Sequence, residues 1–477
     1  MELIELNAVI ADKICNLTAV YLPQSYDAEN TVSAAIISRI KKSADELTFY
    51  PSALRLMEKE FGIVFAPDQI RAVQLSVEKN LLILTGGPGT GKTTTVNAIL
   101  KTLEGLGLSV TLAAPTGRAA KRMTEVTGSE AFTIHRLLGA KFNEEHDSVY
   151  FSKNEKDTLD CDAIIIDESS MLDIFLTSAL LKALKPDTKL IFVGDSDQLP
   201  PVGPGNVFLS MINSGAVPTV RLGEIFRQSK GSSIVGYASR INSGEYPDFS
   251  DNSGDFFRLK RGQNNSAVET ACELYKTRLP ENMKIPVNDI QVLSPTRKGE
   301  LGTVNLNKRL QAVLNPESPA KAQIPFGEKI FRVGDRVMQI RNNYDLFWST
   351  ADNKNYGTGI YNGDIGTITE IDSENKLLRI LFDDKSVLYD FENLNDLEHA
   401  WAITVHKSQG SEFPAVILVL SASSKMLLTR AVLYTAVSRA KKILIMIGDD
   451  RTAYDMIDNK KQYNRYTALK TRICAGL

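Results

Sequence analysis

The sequence predicts an α/β protein of two domains, each a parallel sheet flanked by helices, with a small all-β barrel inserted in the second and a short β-hairpin in the first. Three observations carry that prediction. A chain of 477 residues exceeds what one hydrophobic core normally organises. Two separate sets of short, wholly apolar runs occur, and such runs mark strands buried on both faces. Within the second set the pattern changes to short runs punctuated by turn residues, the habit of an all-β insert. The resulting map has a helical N-terminal region over 1–60 and a first α/β domain over 61–215, with the hairpin at 141–158. The second α/β domain covers 216–301 and 396–477, and the barrel fills 302–395.

Taken in chain order, Leu3, Leu6, Ile10 and Ile14, then Ile36, Ile37 and Ile40, recur at three- or four-residue spacing and predict short helices. Pro67 opens a helix through Ile70, Val73, Leu75 and Val77, proline being suited to a first helical turn. Leu81–Leu84, Val110–Ala113, Ala163–Ile166 and Leu190–Val193 follow as buried parallel strands, separated by enough chain for crossover helices. Lys141–Tyr150 has Phe142 and Tyr150 flanking Glu144, Glu145, His146 and Asp147, the composition of a hairpin with an acidic tip. The second set is Ile290–Leu293, Val416–Leu420 and Ile443–Ile447, with helical segments near Ala267–Leu279 and Arg430–Ser438. In the insert, Gly334-Asp335, Asn362-Gly363-Asp364 and Asp383-Asp384 punctuate runs such as Ile365–Ile371 and Leu377–Phe382.

Composition excludes several classes. With 55 Lys+Arg against 57 Asp+Glu, 43% hydrophobic and 23% charged residues, the chain is neither disordered nor collagenous. A net charge of −2 supplies no overall basic field for a nucleic acid. That near-neutrality is an average: Trp401 to Leu477 hold 12 Lys+Arg and 5 Asp+Glu, a surplus of seven, which leaves −9 for residues 1 to 400. Gripping and releasing a polyanion needs local positive charge of this kind. Cys15, Cys161, Cys272 and Cys474 form no C-x-x-C, so they encode no zinc ribbon or iron–sulfur cluster and read as reduced thiols. The first twenty residues lack the pattern of a signal peptide, and no run approaches eighteen apolar residues. A cytoplasmic protein with no membrane contact is expected.

Gly86-Gly87-Pro88-Gly89-Thr90-Gly91-Lys92-Thr93 fits G-x-x-x-x-G-K-[ST] directly after a strand and before a helix starting near Thr94. The glycines let backbone N–H groups converge on phosphates, Lys92 offsets β/γ charge, and the Thr93 hydroxyl can ligate Mg²⁺. An acidic partner at the end of a neighbouring strand is required. Asp167, after Ala163–Ile166, would hold Mg²⁺ through its water shell, and Glu168 would polarise the attacking water. The reaction class is therefore NTP hydrolysis or phosphoryl transfer assisted by Mg²⁺, and Glu168 favours hydrolysis. Gln198, in the loop after Leu190–Val193, lies on the same strand-end edge and can sense γ-phosphate. Arg227 and Arg439 each offer a second-domain arginine able to stabilise a transferring phosphoryl group. A small-molecule kinase would need neither a second sheet nor those arginines.

These residues, together with further motifs, resemble the ordered series of superfamily 1 DNA helicases, in particular the RecD-like group. The series comprises Gln69, Gly86–Thr93, Ala114–Ala120, Thr133–Leu137, Asp167–Met171, Gly194–Pro201, Ile225–Gln228, Thr404–Gly410 and Tyr434–Ala440. Val292–Thr296 and Tyr361–Ile365 are details shared with the RecD-like group. The resemblance implies two RecA-like domains with ATP in the cleft, single-stranded DNA across their tops, and 5′→3′ translocation. It implies that Gln69 reads adenine and that Gly87, Pro88, Gly89, Thr90, Gly91, Lys92, Thr93 and Thr94 bind ATP. It also implies that Gly410 and Glu412 approach the nucleotide, and that Pro115, Thr116, Arg118, His135, Thr404 and His406 face DNA. The insert is then similar to an SH3-like barrel that helps hold the strand, and the hairpin to a strand-separating wedge.

The expected partners are single-stranded DNA and duplex junctions. Two rival readings share the motor: an RNA-directed helicase, since backbone contacts do not name the sugar, and a DNA-stimulated ATPase subunit of a repair or recombination complex without strong unwinding.

Overall fold

In the computed structural model the described residues are 6, 8–42, 47–143, 148–224, 231–250, 254–352, 354–421, 427–460 and 465–477. They divide into two compact units: Met1–Pro115, Ala119–Ser229 and Tyr463–Leu477 form the first, and Thr116–Arg118 and Lys230–Gln462 form the second.

The first unit is built on a six-stranded, all-parallel sheet in the order Thr219–Leu222, Leu81–Gly86, Lys189–Gly194, Ala163–Ile166, Val110–Ala114, Ala131–Thr133. Every residue of Leu81–Gly86 and of Lys189–Gly194 is buried. Alternation at period two splits their side chains between two cores. Leu81 and Ile83 join Phe192, Ile164, Ile36 and Phe208 on one face, whereas Leu82 and Leu84 join Val193, Ile165, Val73 and Ile99 on the other. Helix Pro67–Glu78 begins on its proline as the sequence predicts.

Ile10–Ile14 and Leu17–Tyr21 pair as an antiparallel hairpin, not as the helix their spacing suggested. Ile10 and Ile14 fit a four-residue helical repeat and a two-residue strand repeat equally well. Alternating half-buried and exposed positions decide for the strand. Helices Pro23–Lys41 and Pro51–Phe61 complete this region. The hairpin predicted near Lys141–Tyr150 is present as Ala140–Asn143 against Ser148–Phe151, with Lys141 opposite Tyr150. Its acidic tip, Glu144 to Asp147, lies outside the described residues.

The end of the chain departs from the expected map. Leu469 and Ile473, on helix Leu469–Ala475, sit in the first unit's core rather than in the second domain. A polar clamp secures the helix. Buried Glu29 accepts from Thr467 Oγ1 (2.6 Å), the Ala468 N–H (3.1 Å) and Arg472 Nε (3.0 Å), while Arg472 also donates to Asp12 (2.6 Å). The Glu29 and Asp12 carboxylates, with the Tyr21 hydroxyl, hold Arg472 well above the ordinary guanidinium range despite its burial.

The second unit carries a five-stranded parallel sheet in the order Phe256–Lys260, Ala440–Gly448, Phe413–Val419, Ile290–Ser294, Ala402–Thr404. Residues 303–314, inside the predicted insert, form a helix whose Leu306 and Leu310 belong to the core of this sheet. Beyond it comes a hairpin, Gln323–Phe326 with Lys329–Arg332, and then a curled antiparallel sheet of seven strands between Arg336 and His399. Phe331, Ile368, Leu378, Ile380 and Tyr389 fill that barrel-like core. Fully buried Asp335 joins the barrel to its surroundings, accepting from Gln311 (2.7 Å), Asn315 (2.6 Å) and the Arg332 N–H (2.8 Å). No helix among the described residues is long and apolar enough to cross a membrane. The four cysteines are unpaired.

Replacing Glu29 by Gln removes one of the two carboxylates that face the half-buried Arg472; a fully buried pair broken this way costs about 3 kcal/mol, and partial solvent access reduces that to about 1–2 kcal/mol. Chemical denaturation should show that loss. A variant as stable as the parent would contradict the clamp.

Candidate active site

Leu81–Gly86 delivers the phosphate-binding motif to the carboxyl edge of the first sheet. There Gly89 and Gly91 take left-handed backbone angles, φ 74° and 79°, which a side chain would strain. At Gly86 a Cβ would stand 2.7 Å from Thr90 Oγ1 and 3.0 Å from the Leu222 carbonyl, so no larger residue fits. Lys92 Nζ donates to the carbonyls of Gly86 (2.6 Å) and Gly87 (2.9 Å), and Thr90 Oγ1 donates to the Gly87 carbonyl (2.8 Å). The loop is thus wrapped on its own lysine. Helix Lys92–Gly105 starts immediately, and Thr93 and Thr94 are half-buried in its first turn. Its free N–H groups and positive dipole end suit an anion.

Gln69 is buried beside this loop. Its Oε1 accepts from the Ala66 N–H (3.0 Å), and its Nε2 donates to the Gly91 carbonyl (3.3 Å) and Thr95 Oγ1 (3.1 Å). Thr95, which sequence reading missed, in turn donates to the Gly91 carbonyl (2.9 Å). Its signal was available: a hydroxyl one helical turn after a glycine that must be held in an unusual conformation.

Asp167 and Glu168 follow Ala163–Ile166, but that strand is not the hydrogen-bonded neighbour of Leu81–Gly86. Lys189–Gly194 lies between them, so the acidic pair stands two strands, roughly 10 Å, from the strand that launches the loop. Such a gap suits a carboxylate acting through a metal's water shell. Asp167 Oδ1 accepts from the Glu168 N–H (2.8 Å), and Glu168 itself has φ 51°, a strained conformation for a non-glycine residue. The turn that follows crowds its neighbour strand. A Cβ on Gly194 would lie 3.1 Å from the Ser170 nitrogen and 3.2 Å from Phe208 Cζ. Thr93 and Asp167 offer only oxygen donors, the set that Mg²⁺ prefers.

The intervening strand ends in Asp195, 1% exposed, which organises Gln198. Gln198 Nε2 donates to Asp195 Oδ2 (3.2 Å), and Gln198 Oε1 is buried with no hydrogen-bond partner among the described residues. The Ser196 N–H donates to Thr85 Oγ1 (3.3 Å), tying this loop to the strand before the phosphate loop. His135, in the short helix Ile134–Leu137, packs its ring 5.9 Å from that of Phe151. Burial pushes its pKa down, and Asp173 partly opposes that shift. Pro115 follows Val110–Ala114 directly.

In the second unit, Arg439 is 2% exposed. It donates to the carbonyls of Thr435 (3.3 Å) and Ser411 (3.1 Å) and to Ser438 Oγ (3.2 Å). Ser411, another residue sequence reading missed, also accepts from Arg118 at its hydroxyl (3.3 Å), and the Arg118 guanidinium lies 5.7 Å from the Phe413 ring. Burial first, then Arg336, pulls the Arg118 pKa down to about 10. Thr116 groups with the same unit. Gly410 is buried with φ 70°, and Glu412 faces Lys441 at 3.4 Å. Thr404 Oγ1 accepts from the Lys407 N–H (3.3 Å), and Lys407 Nζ donates to Asn362 (2.7 Å) in the barrel loop. Burial lowers the pKa of both His406 and Lys407. Arg227 lies outside the described residues.

Three family models match in order: an AAA domain over residues 69–204, the SH3 domain of ATP-dependent RecD-like DNA helicases over 306–382, and a UvrD-like helicase C-terminal domain over 399–447. The ATP-dependent RecD2 DNA helicase of Deinococcus radiodurans is 35% identical over 395 residues, 83% of this chain and 50% of that protein. The RecBCD enzyme subunit RecD of Mycolicibacterium smegmatis is 29% identical over 461 residues, 87% of this chain and 76% of that protein. This chain therefore spans about half the length of the first relative. A solved Pif1 helicase from Bacteroides in complex with ADP-AlF3 and ssDNA aligns over 88% of this chain and 96% of its own, at 19% identity and TM-score 0.48.

The buried histidines set a pH dependence. With folded pKa values beneath the ordinary 6.5, the unfolded chain takes up protons first as pH falls. Stability therefore drops from about pH 6.5 downward until the folded rings protonate too. Denaturant titrations between pH 7.5 and 5 should show His135→Asn and His406→Asn each losing less stability than the parent. Parallel curves would contradict the assignment.

Proposed function

The chain belongs to the RecD-like family of superfamily 1 helicases, and from that membership we propose that it is an ATP-hydrolysing DNA helicase, translocating 5′→3′ on a single strand and separating duplex ahead of it. The observation that carries the chemical half of this reading is the shared edge of one parallel sheet. The phosphate loop, the acidic pair and Gln198 leave from three consecutive strands of it.

Lys92, Thr93 and the N–H groups of Gly89 to Thr94 bind the phosphates, and Gln69 with Thr95 holds the loop in shape beside the base. Thr93, and Asp167 through water, would hold Mg²⁺, whose charge would offset that of the bound phosphates. Glu168 accepts the proton of the attacking water, Gln198 contacts the γ-phosphate, and Arg439 and Arg227 act on the developing charge. Thr116, Arg118, His135, Thr404 and His406, with Pro115 shaping the loop, contact the strand. Lys407 joins them on the strength of its position beside Thr404. The partners are single-stranded DNA and its junction with duplex, a reading supported by the similarity to the RecD2 DNA helicase.

Purified full chain should hydrolyse ATP with Mg²⁺ and respond strongly to single-stranded DNA; indifference to any polynucleotide would sink the reading. Lys92→Ala should remove turnover. Arg439→Ala should lower kcat by about 10³ with ATP affinity largely kept, the effect expected of an arginine finger; an affinity loss at unchanged kcat would reassign it. Direction is read from 5′-tailed against 3′-tailed duplexes, and only the first should be unwound. Matched RNA oligomers should stimulate less than DNA.

A further inference from the structure

The loop after Gln198, Leu199-Pro200-Pro201-Val202-Gly203-Pro204-Gly205, is gripped by a side chain from the far end of the sequence. Arg465, within the first unit, donates through NH1 to the carbonyls of Gly203 and Gly205, the latter at 2.9 Å, and through NH2 to the carbonyl of Pro201. Three carbonyls from alternate residues thus converge on one guanidinium. Without a cation between them their dipoles would repel, and charge-assisted bonds from a planar fork suit the arrangement.

The loop also rests on the start of helix Ile174–Lys182. The Ile174 N–H donates to the Pro204 carbonyl (3.0 Å), and a Cβ on Gly203 would collide with the Asp173 carboxylate. Gly205 sits at φ 84°, a left-handed conformation. Both glycines are therefore demanded by this grip. Burial lowers the Arg465 pKa, with Asp173 opposing that shift.

Upstream, the Gln198 side chain is bonded to Asp195 through its amide nitrogen, and among the described residues its buried Oε1 has no partner. Two consecutive prolines, Pro200 and Pro201, join it to the first gripped carbonyl. Fixed φ angles make that tether stiff, so the position of the loop is passed back to Gln198. We propose that Arg465 is a positioning residue for ATP hydrolysis, fixing the 199–205 loop so that the Gln198 amide is held at the sheet edge. This rests on the reading of Gln198 as the γ-phosphate contact.

The test compares full-length parent, Arg465→Ala, Arg465→Lys, Gln198→Ala and the Arg465→Ala/Gln198→Ala pair. The readouts are DNA-stimulated ATP hydrolysis and nucleotide-free amide hydrogen exchange over residues 199–206. Arg465→Ala should lower kcat about tenfold and change the KM for ATP less than about twofold, the mark of a misplaced rather than a missing group. Arg465→Lys, which keeps charge without the fork, should fall between, and it carries the comparison if the alanine variant does not fold. The double variant should be no slower than Gln198→Ala, because residues acting through one group do not add. Loop exchange should rise in Arg465→Ala. Unchanged exchange overturns the proposal, as do losses that multiply in the double variant. A parent chain without DNA-stimulated hydrolysis would instead overturn the functional reading, while the exchange data still decide whether Arg465 holds the loop.

Discussion

The parallel hydrogen-bonded ladder joining Leu81–Gly86, Lys189–Gly194 and Ala163–Ile166 is the constraint on which the rest of the first unit depends. Register pairs Leu81 with Leu190 and Ile164 with Leu190, so the three strands run in step. Each then ends at the same edge and releases a loop there. Because parallel strands require crossover helices, both faces are covered, and the only place left for polar chemistry is the strand ends. The phosphate loop, the acidic turn and the Gln198 loop occupy them. The acidic turn presses on the start of the Gln198 loop at Gly194, where an added carbon would stand 3.1 Å from the Ser170 nitrogen, and the phosphate loop packs on the edge strand at Gly86, where it would stand 3.0 Å from the Leu222 carbonyl.

Buried polar side chains carry the positional information at that edge. Gln69 and Thr95 address the Gly91 carbonyl, Asp195 addresses Gln198, and Thr85 addresses Ser196. In the second unit Arg439 and Arg118 meet on Ser411. A buried polar group costs free energy unless it is bonded, so each such bond holds its loop in a narrow range of positions. These side chains set geometry for the residues to which the chemistry is assigned by proposal.

Much of this was legible beforehand. Runs such as Ala163–Ile166 are apolar on both faces because the strand is buried on both, and that pattern survives any tertiary arrangement. The phosphate loop was readable because its spacing encodes backbone geometry. Ile10–Ile14 misled because two isoleucines four apart satisfy both repeats. Residues 303–314 were assigned to the barrel from turn residues at its borders, although Leu306 and Leu310 serve the neighbouring sheet. Neither error could be repaired from local pattern, which does not say what an apolar face will meet.

Local chemistry along the chain was enough to specify the strands, the glycine-rich loop, the acidic pair and the family. Those features depend on residues close together in sequence, and spacing is their physical content. The order of the strands was not available from spacing. It put Lys189–Gly194 between the loop strand and the Asp167 strand, and so separated the lysine's strand from that of the carboxylate. Nor did spacing announce that Glu29 would receive Arg472, or that Arg465 would close on Pro201, Gly203 and Gly205. Those contacts join residues hundreds of positions apart, and such pairings are chosen by the packing of whole elements rather than by anything written within one of them.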